Sequence, residues 1–525
     1  MFKNLKISIS NSTKFIILIV ISIPIIVYSC TNKENSQNKR IEEGKKLAEK
    51  SCQSCHLLPD PNLADKASWE KGILPKMGPR LGIFMHNGLR YPIVKYDSTI
   101  GNNYYPKDRL ITNLEWQKII DYYVASSPIK LKTKQKYQIP ILDSLNQFEI
   151  QEPKYKGMPP ATTFVGIDEK QPKTPFIYSN VLNHTFYRFN EKLKQIDSFK
   201  TKGPIVNVIS EQNKWLVCNI GILNPNNGSN GSINQINLKN NEFVSEEKNS
   251  ILSNLQRPVQ FQKIDLNGDN KDDIIVCEFG NLTGALCWYE QKKEGVYEKH
   301  ILRSLPGAIK FEIQDYNHDG LPDIWALFAQ GDEGIILYTN LGGGKFKEER
   351  KLQFPPIYGS SYFELTDFNK DGFPDIVYTC GDNADYSTIL KPYHGVYIFL
   401  NDGKNNFKQK YFYPINGCYK AIVRDFDNDG DLDIATISYF PDFENQPEEG
   451  FIYFENIGGE FNFKPRTNKI LAKGRWLTMN TGDFNHDGYL DIILGNFSLL
   501  KPLLKSNFDW KKGPPFMVLK NLGKK

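Results

Sequence analysis

Asp265-Leu-Asn267-Gly-Asp269-Asn-Lys-Asp-Asp273 is the first of five copies of one nine-residue pattern. The others are Asp315/Asn317/Asp319/Asp323, Asp367/Asn369/Asp371/Asp375, Asp425/Asp427/Asp429/Asp433 and Asp483/Asn485/Asp487/Asp491. Each places oxygen side chains at positions 1, 3, 5 and 9. Position 2 is Leu, Tyr or Phe. Position 6 is Gly320, Gly372, Gly430 or Gly488, and Asn270 in the first copy. The residue after position 9 is always Ile.

Alternate residues of a tight loop turn their side-chain oxygens inward, and the glycine allows a sharp backbone turn. A hard cation taking six to eight oxygens in flexible geometry suits such a cage, so the loops predict up to five Ca2+ sites. The pattern is similar to the first half of an EF-hand loop. However, no Glu stands at position 12, and strand-like runs such as Ile274-Ile-Val-Cys277 follow instead of helices. One Asp/Asn-rich turn would need no metal. Five with the same four oxygen positions argue for one.

The copies recur at steps of about 50 to 58 residues, a period that marks stacked supersecondary units. The third unit reads as four strands: Tyr362 to Thr366, Phe373 to Thr379, Gly395 to Leu400 and Phe407 to Phe412. Four-stranded units in radial repetition make a β-propeller. The motifs resemble the FG-GAP/VCBS repeat family, the blade type of integrin α-subunit heads. Residues 159–525 accommodate seven such units. Two therefore precede Asp265 without the loop. Thr174 to Ser179 with Thr185 to Phe189, and Trp215 to Asn219 with Ser232 to Asn237, are their candidate strands. The chain ends on Phe516 to Gly523, which parallels a third strand. The missing fourth strand is expected from the segment before the first blade.

The N-terminus is of another kind. Lys3, Lys6 and Lys14 precede an apolar run from Phe15 to Tyr28, too short for a comfortable membrane span and suited to a signal-peptide core. It ends in Val27-Tyr-Ser-Cys30, which resembles a bacterial lipoprotein cleavage box with Cys30 as the lipidated residue, although Tyr28 is large for its place. The resemblance implies a lipid-anchored protein of the bacterial outer membrane, on its periplasmic or cell-surface side.

Cys52-Gln-Ser-Cys55-His56 follows a helical stretch. Cys-x-x-Cys-His is the attachment motif of c-type haem. Two thiols bind the porphyrin vinyls, and the adjacent His supplies a nitrogen to iron. A redox dithiol or half a zinc site would leave the His unexplained. Asn113 to Val124 reads as a second helix with an apolar face of Leu114, Ile119, Ile120 and Tyr123. This helix–haem–helix layout resembles a small class I cytochrome c, which implies one haem c and a sixth ligand. Residues 91–114 contain no Met, so Met77 in Leu-Pro-Lys-Met77-Gly-Pro is favoured, with Met85 and His86 as alternatives.

The expected fold is therefore multidomain: a small all-α cytochrome c-like domain followed by an all-β propeller of seven blades. The expected boundaries are signal peptide 1–29, polar tether 30–40, haem domain 41–128, linker 129–158 and propeller 159–525. Net charge is a modest +5, and no basic cluster with interleaved aromatics appears, which excludes a nucleic-acid binder. Beyond the lipid and haem cysteines remain Cys218, Cys277, Cys287, Cys380 and Cys418, read as buried strand thiols.

In such a propeller the nine-residue loops join strands one and two and share one face. The opposite face collects the strand-two-to-three and inter-blade connections. These bring Asp382, Asp385, Tyr386, Lys391 and His394, then Lys420, then Asp442, Glu444 and Glu448, then Arg475, Trp476 and Asn496. That mix suits a polar ligand such as a glycan, or a surface protein. His318 and His486 lie inside the loops and are expected to face solvent. Two function classes follow. One is an electron-transfer protein whose propeller binds a ligand or partner and which meets an unnamed redox partner. The alternative is an oxidoreductase in which the propeller oxidises a sugar or alcohol and hands electrons to the haem. It rests on analogy with cytochrome fusions of quinone-dependent propeller dehydrogenases, whose blades differ.

Overall fold

A computed structural model describes residues 36–523 apart from 94–99, 101–103, 133–138, 155–157, 212, 240–241, 245–249, 385–386 and 500–507. The signal-peptide and lipidation readings, including Cys30, lie outside the described residues, as do Asp385 and Tyr386. The chain divides into two compact units. One comprises residues 1–54, 64–93 and 105–130, the other 55–63, 94–104 and 131–525.

The larger unit is a seven-bladed β-propeller. Blade 1 holds Thr162–Ile167, Phe176–Asn180, Thr185–Phe189 and Gln195–Lys200. Blade 2 is built on Ile205–Ser210, Lys214–Asn219 and Gly231–Lys239, whose far edge pairs with Glu242–Phe243 and Ser250–Leu255. Blade 3 runs Pro258–Ile264, Asp273–Glu278, Ala285–Lys293 and Val296–Arg303. Blade 4 runs Ala308–Gln314, Asp323–Phe328, Gly334–Asn340 and Phe346–Gln353. Blade 5 runs Ser360–Thr366, Asp375–Cys380, Gly395–Asn401 and Phe407–Pro414. Blade 6 runs Cys418–Arg424, Asp433–Ser438, Phe451–Asn456 and Phe463–Thr467. Blade 7 has Trp476–Gly482, Asp491–Asn496 and Phe516–Asn521.

Closure of the ring borrows from the stretch expected as a linker. Phe148–Gln151 pairs antiparallel with Phe516–Asn521 and completes blade 7. Leu142–Asp143 adds a parallel edge to Phe463–Thr467 of blade 6. Thr162 Oγ1 also donates to the Pro515 carbonyl at 2.8 Å, which fastens blade 7 to blade 1.

The core explains why the second strand of each repeat is so apolar. In blades 3 to 7 every residue of that strand is buried. It is covered on both faces by neighbouring blades, so it reads as a continuous apolar run rather than an alternation. Fourth strands such as Val296–Arg303 are largely solvated, and their charges are correspondingly dense. The innermost strands are latched side chain to main chain. Gln260 pairs with both the N–H and the carbonyl of Phe311, and Glu364 accepts from Val423 N at 2.9 Å. The strand cysteines are buried as expected, and burial raises their thiol pKa values, that of Cys287 to about 12.

The smaller unit contains a helix over 36–51 and a second over Asn113–Ser126. The second starts on a full capping box, with Thr112 and Glu115 exchanging side-chain bonds to each other's backbone N–H. Gly44 lets the two helices approach closely, since a Cβ there would meet the Lys118 carbonyl. The buried face is Trp116, Ile119, Tyr122 and Tyr123, packed on Trp69; Leu114 is exposed, contrary to the expected apolar face. Residues two apart on a helix do not share a face, so Leu114 and Trp116 cannot both point inward. Trp116 takes the interior because it buries more surface. Among the described residues between the helices lie short turns, Pro61–Leu63 and then Ser68 to Leu81, and a two-stranded ribbon, Met85–His86 with Leu89–Arg90. A separate all-α cytochrome domain over 41–128 is not delineated. Residues 55–63 group with the propeller, and the remainder mixes helix, turn and ribbon.

Candidate functional site

The five nine-residue loops share one hydrogen-bond scheme. The position 1 carboxylate accepts from the backbone N–H groups of positions 5 and 6, as in Asp371 N and Gly372 N to Asp367 at 3.0 and 2.9 Å. The same pair recurs at Asp265, Asp315, Asp425 and Asp483. Two positions, not one, adopt left-handed backbone. Position 6 does so as expected, at φ 85° in Gly320 and 63° in Asn270. Position 4 does so too, as Gly268, His318, Lys370, Asn428 and His486. Sequence reading missed this because no single residue type marks position 4. His318 and His486 are solvent-facing, as expected.

Positions 3 and 5 depart from the expectation that all four side chains turn inward. Position 5 is exposed in every loop, as Asp269, Asp319, Asp371, Asp429 and Asp487. At position 3, Asn317 is also exposed, Asn267, Asn369 and Asn485 are half-buried, and only Asp427 is buried. Where position 3 is Asn, its amide turns toward position 5. Asn317 Nδ2 donates to Asp319 and Asn369 Nδ2 to Asp371, both at 2.8 Å, and Asn485 Nδ2 donates to Asp487 at 2.6 Å. The first loop differs, since Asp269 is held there by Lys271 at 2.8 Å. Asp427 has no amide hydrogens to give and accepts from Asp429 N at 3.2 Å. The physical reason is charge: position 5 lies close to the position 1 carboxylate, so it turns to water and to the nearest N–H donor.

Position 9 stands apart from the other three. Its side chain is fully buried in all five loops: Asp273, Asp323, Asp375, Asp433 and Asp491. One oxygen accepts from the N–H of position 2, and the other from an N–H at the end of the third strand. In the third loop these are Phe368 N at 2.9 Å and Asn401 N at 2.8 Å. The acid therefore clasps the loop to the blade. Burial raises its pKa in every copy, to about 7 at Asp433 and Asp491. Neighbouring loop carboxylates add to the rise, which is the repulsion a bound cation would relieve. In the fourth loop Asp425, Asp427 and Asp433 each bring an oxygen within 4.8 Å of the others, without Asp429. In the fifth, Asn485 Oδ1 is buried without a hydrogen-bond partner. Hard oxygen donors, one of them unsatisfied, are a donor set that fits Ca2+.

The loops are also tied to one another. Lys370 Nζ reaches Asp431 of the next loop at 3.0 Å, and Asn428 Nδ2 donates to the Gly488 carbonyl at 3.0 Å. Both bonds start from position 4, so its left-handed backbone serves to aim a side chain at the adjoining blade.

At the haem motif, Cys52 is half-buried and Cys55 exposed. His56 Nδ1 lies 2.9 Å from the Leu57 carbonyl. Donation there fixes the tautomer and leaves Nε2 as the lone-pair nitrogen, the arrangement that suits a metal-ligating His. Of the sixth-ligand candidates, Met77 is half-buried at the end of the turn Leu74–Met77. Met85 is 59% exposed. His86 is buried, and its Nε2 is held 2.6 Å from Gln117 Oε1.

The opposite rim differs from the open polar surface expected there. Lys391 is buried and donates to Asn383 Oδ1 at 2.6 Å. His394 is buried, with Nε2 unpartnered, and burial with the nearby Lys391 charge holds its pKa well below the ordinary value. Lys420 donates to the Met479 carbonyl and lies over the Tyr362 ring, and burial lowers its pKa to about 8. Arg475 is buried, stacked 3.9 Å from the Tyr439 ring centroid and bonded to that residue's carbonyl. Trp476 donates to the Leu471 carbonyl, and Asn496 joins Arg475 N to the Trp510 and Pro514 carbonyls. Asp382 accepts from Ala384 N, and Asp442 is bonded to Asn445. Among the described residues of this set, Glu444 is exposed and Glu448 half-buried. These connections pack inward because each long polar side chain finds a main-chain or amide oxygen of its own chain.

Three further carboxylates are buried. Glu278, Glu333 and Glu449 accept backbone N–H groups of Gln256, Ser360 and Asn416 respectively. Each braces a blade entrance. The available signal was Glu278, a lone acid closing an apolar strand.

With this geometry in place, a sequence profile of the FG-GAP-like repeat matches residues 265–326 and 315–378. Residues 265–378 of the propeller carry FG-GAP-like repeats. The matched residues span the first three loops. Among solved structures, the N-terminal domain of Nup159 aligns at 11% identity over 74% of this chain and 99% of that one, with a TM-score of 0.40. The Neurospora crassa Pan2 WD40 domain gives 11% identity, 74% and 99% coverage and a TM-score of 0.40. The luciferin-regenerating enzyme gives 11%, 72%, 96% and 0.34. Matches at this level do not bear on function.

Proposed function

We propose that this chain is an exported, lipid-anchored c-type haem protein that transfers electrons, with a calcium-bound FG-GAP propeller as its recognition module. The observation that carries the haem reading is His56. It directly follows Cys55, and its Nδ1 is engaged by the Leu57 carbonyl, so Nε2 is presented for iron. Cys52 and Cys55 would hold the porphyrin, and Met77 would complete the iron. When bound, the haem supplies a one-electron couple. The chain's own part is to fix the His56 tautomer and to anchor the macrocycle by two thioethers.

The calcium reading rests on the shared loop geometry and the raised position 9 acids. Positions 1 and 3 would supply oxygens from the protein side. Asp269, Asp319, Asp371, Asp429 and Asp487, which now face water, would close on the ion from the solvent side. The position 9 acid would hold the loop in place while adding an oxygen. The propeller would then offer a rigid surface to a surface glycan or protein, while the haem meets a redox partner.

The test is covalent haem after export-competent expression. Haem should survive denaturing electrophoresis in the native chain, and Cys52→Ala with Cys55→Ala should abolish it. Absence of covalent haem in the native chain, under conditions that mature another c-type cytochrome, would remove the electron-transfer reading.

A further inference from the structure

The connection between the second and third strands of blade 5 encloses a lysine. Lys391 and Asn383 stand near its two ends and are buried, at 4% and 2% exposure. Lys391 Nζ donates to Asn383 Oδ1 at 2.6 Å and to the Ser387 carbonyl at 3.3 Å. Asn383 is pinned from its other side, where its Nδ2 donates to the Ile389 carbonyl at 2.8 Å. The amine is therefore held against one particular carboxamide. A C=O bond is ~1.23 Å long, so Nζ lies no more than about 3.8 Å from Asn383 Cγ. Reacting atoms in near-attack geometry stand ~3–3.5 Å apart, so a small rotation of the carboxamide brings amine and carbon together.

Enclosure changes the chemistry of the pair. Burial favours the neutral forms of both an amine and a carboxyl. Asp382 adjoins Asn383 and is half-buried. Burial raises its carboxyl pKa, and the Lys391 charge acts on it in the opposite sense. Moving one proton from the Lys391 ammonium to Asp382 removes both charges from the interior and leaves the amine with a free electron pair. His394, the buried imidazole that also feels the Lys391 charge, stays neutral.

We infer that Lys391 and Asn383 form an intramolecular isopeptide bond, with Asp382 as the proton carrier. The Lys391 amine attacks Asn383 Cγ. The bond that forms is Nζ–Cγ, and the bond that breaks is Cγ–Nδ2. Asp382 takes one proton of the ammonium before the attack, and a second passes from the attacking nitrogen to the departing one. The departing nitrogen leaves as ammonia, which takes up the proton held by Asp382 and becomes ammonium. Nothing is oxidised or reduced, and no co-reactant is consumed. The product ties together the two ends of a connection in which Ala384 and Thr388 are exposed. A protease cut between them then leaves the chain in one covalent piece.

The experiment is mass spectrometry of the full chain, intact and after trypsin. Lys391 and Asn383 fall in one tryptic peptide, residues 371–404, because Pro392 blocks cleavage after Lys391. That peptide should be lighter than its sequence by one ammonia and should give no backbone fragments from within 383–391. Lys391→Arg keeps a cation but cannot make the bond, and should restore the full mass. Asp382→Ala should slow formation of the bond by ~100-fold or more, the usual worth of a positioned proton carrier. A native peptide of full sequence mass overturns the inference. So does a loss of ammonia that persists in Lys391→Arg, since Asn383 has then closed onto its own backbone. Linkage at the native rate in Asp382→Ala overturns the part given to Asp382.

Discussion

On the face of the propeller built by the nine-residue loops, carboxylates crowd one another. Asp425, Asp427 and Asp433 bring oxygens within 4.8 Å, held there by backbone N–H groups that cannot neutralise them. On the opposite face, Lys391, Lys420 and Arg475 are drawn inward and bonded to carbonyl or amide oxygens of their own chain. Both faces concentrate charge, but only on the first do three carboxylates of one loop converge on one another. A charged run in sequence therefore says little until the partners are known. A site awaiting a ligand is one where like charges converge, and a structural cluster is one where every charge already has its oxygen.

The largest effect should come from removing the cation. If each loop is saturated at a hundredfold above its dissociation constant, each contributes about 2.7 kcal/mol to folding. Chelation should then lower the melting temperature substantially, and added Ca2+ should restore it. An unchanged melting temperature would erase the distinction between the faces. The position 4 bridges from Lys370 to Asp431 and from Asn428 to Gly488 further predict that loops three to five release their ions together.

Next in size is the position 9 clasp. Asp375 accepts Phe368 N through one oxygen and Asn401 N through the other. Asp375→Asn turns one acceptor into a donor facing an N–H, and should cost about 2–4 kcal/mol even without calcium. If the loss appears only in the presence of calcium, position 9 acts as a ligand and not as a clasp. On the other face Arg475→Met should cost about 2–3 kcal/mol through the Tyr439 stack and the lost carbonyl bond. Glu444→Ala, on the same connection system but solvated, should stay within about 0.5 kcal/mol. Equal effects of the two would mean that the rim is a solvated surface after all.

The blade count was legible because the loop pattern fixes both where a blade's second strand begins and how far apart blades lie. The borrowed fourth strand at Phe148–Gln151 was legible from the chain ending on a third strand, although the run itself carries no strong period. Within the loops, the four oxygen positions read alike in sequence, yet Asp375 is enclosed while Asp371 is exposed. Spacing cannot separate them, because the clasp depends on an N–H from the third strand. The rim was not legible. Lys391, His394 and Asn496 look polar in sequence, and only long-range packing shows that each is enclosed. Glu333 was hidden for the same reason, since a buried acid satisfied by N–H groups has no local signature.

The smallest effect sharpens the comparison from the compensated side. His394 is buried and kept neutral, with its pKa held well below the ordinary value by burial and then by Lys391. In the unfolded chain it would protonate near its ordinary pKa of about 6.5. Below that pH the unfolded state binds the extra proton, so folding stability falls as pH drops, by at most ~1.4 kcal/mol per unit for this one group. The contribution is fully present above pH ~6.5 and is lost progressively until the folded-state pKa is reached. His394→Leu removes this slope, so the variant should gain on the native chain between about pH 6.5 and 5 when both are measured free of calcium. Acid release of Ca2+ is then excluded, and other titrating groups cancel between the two proteins. Parallel stability curves would mean that His394 takes up its proton in the folded state, and that this part of the rim is open to solvent.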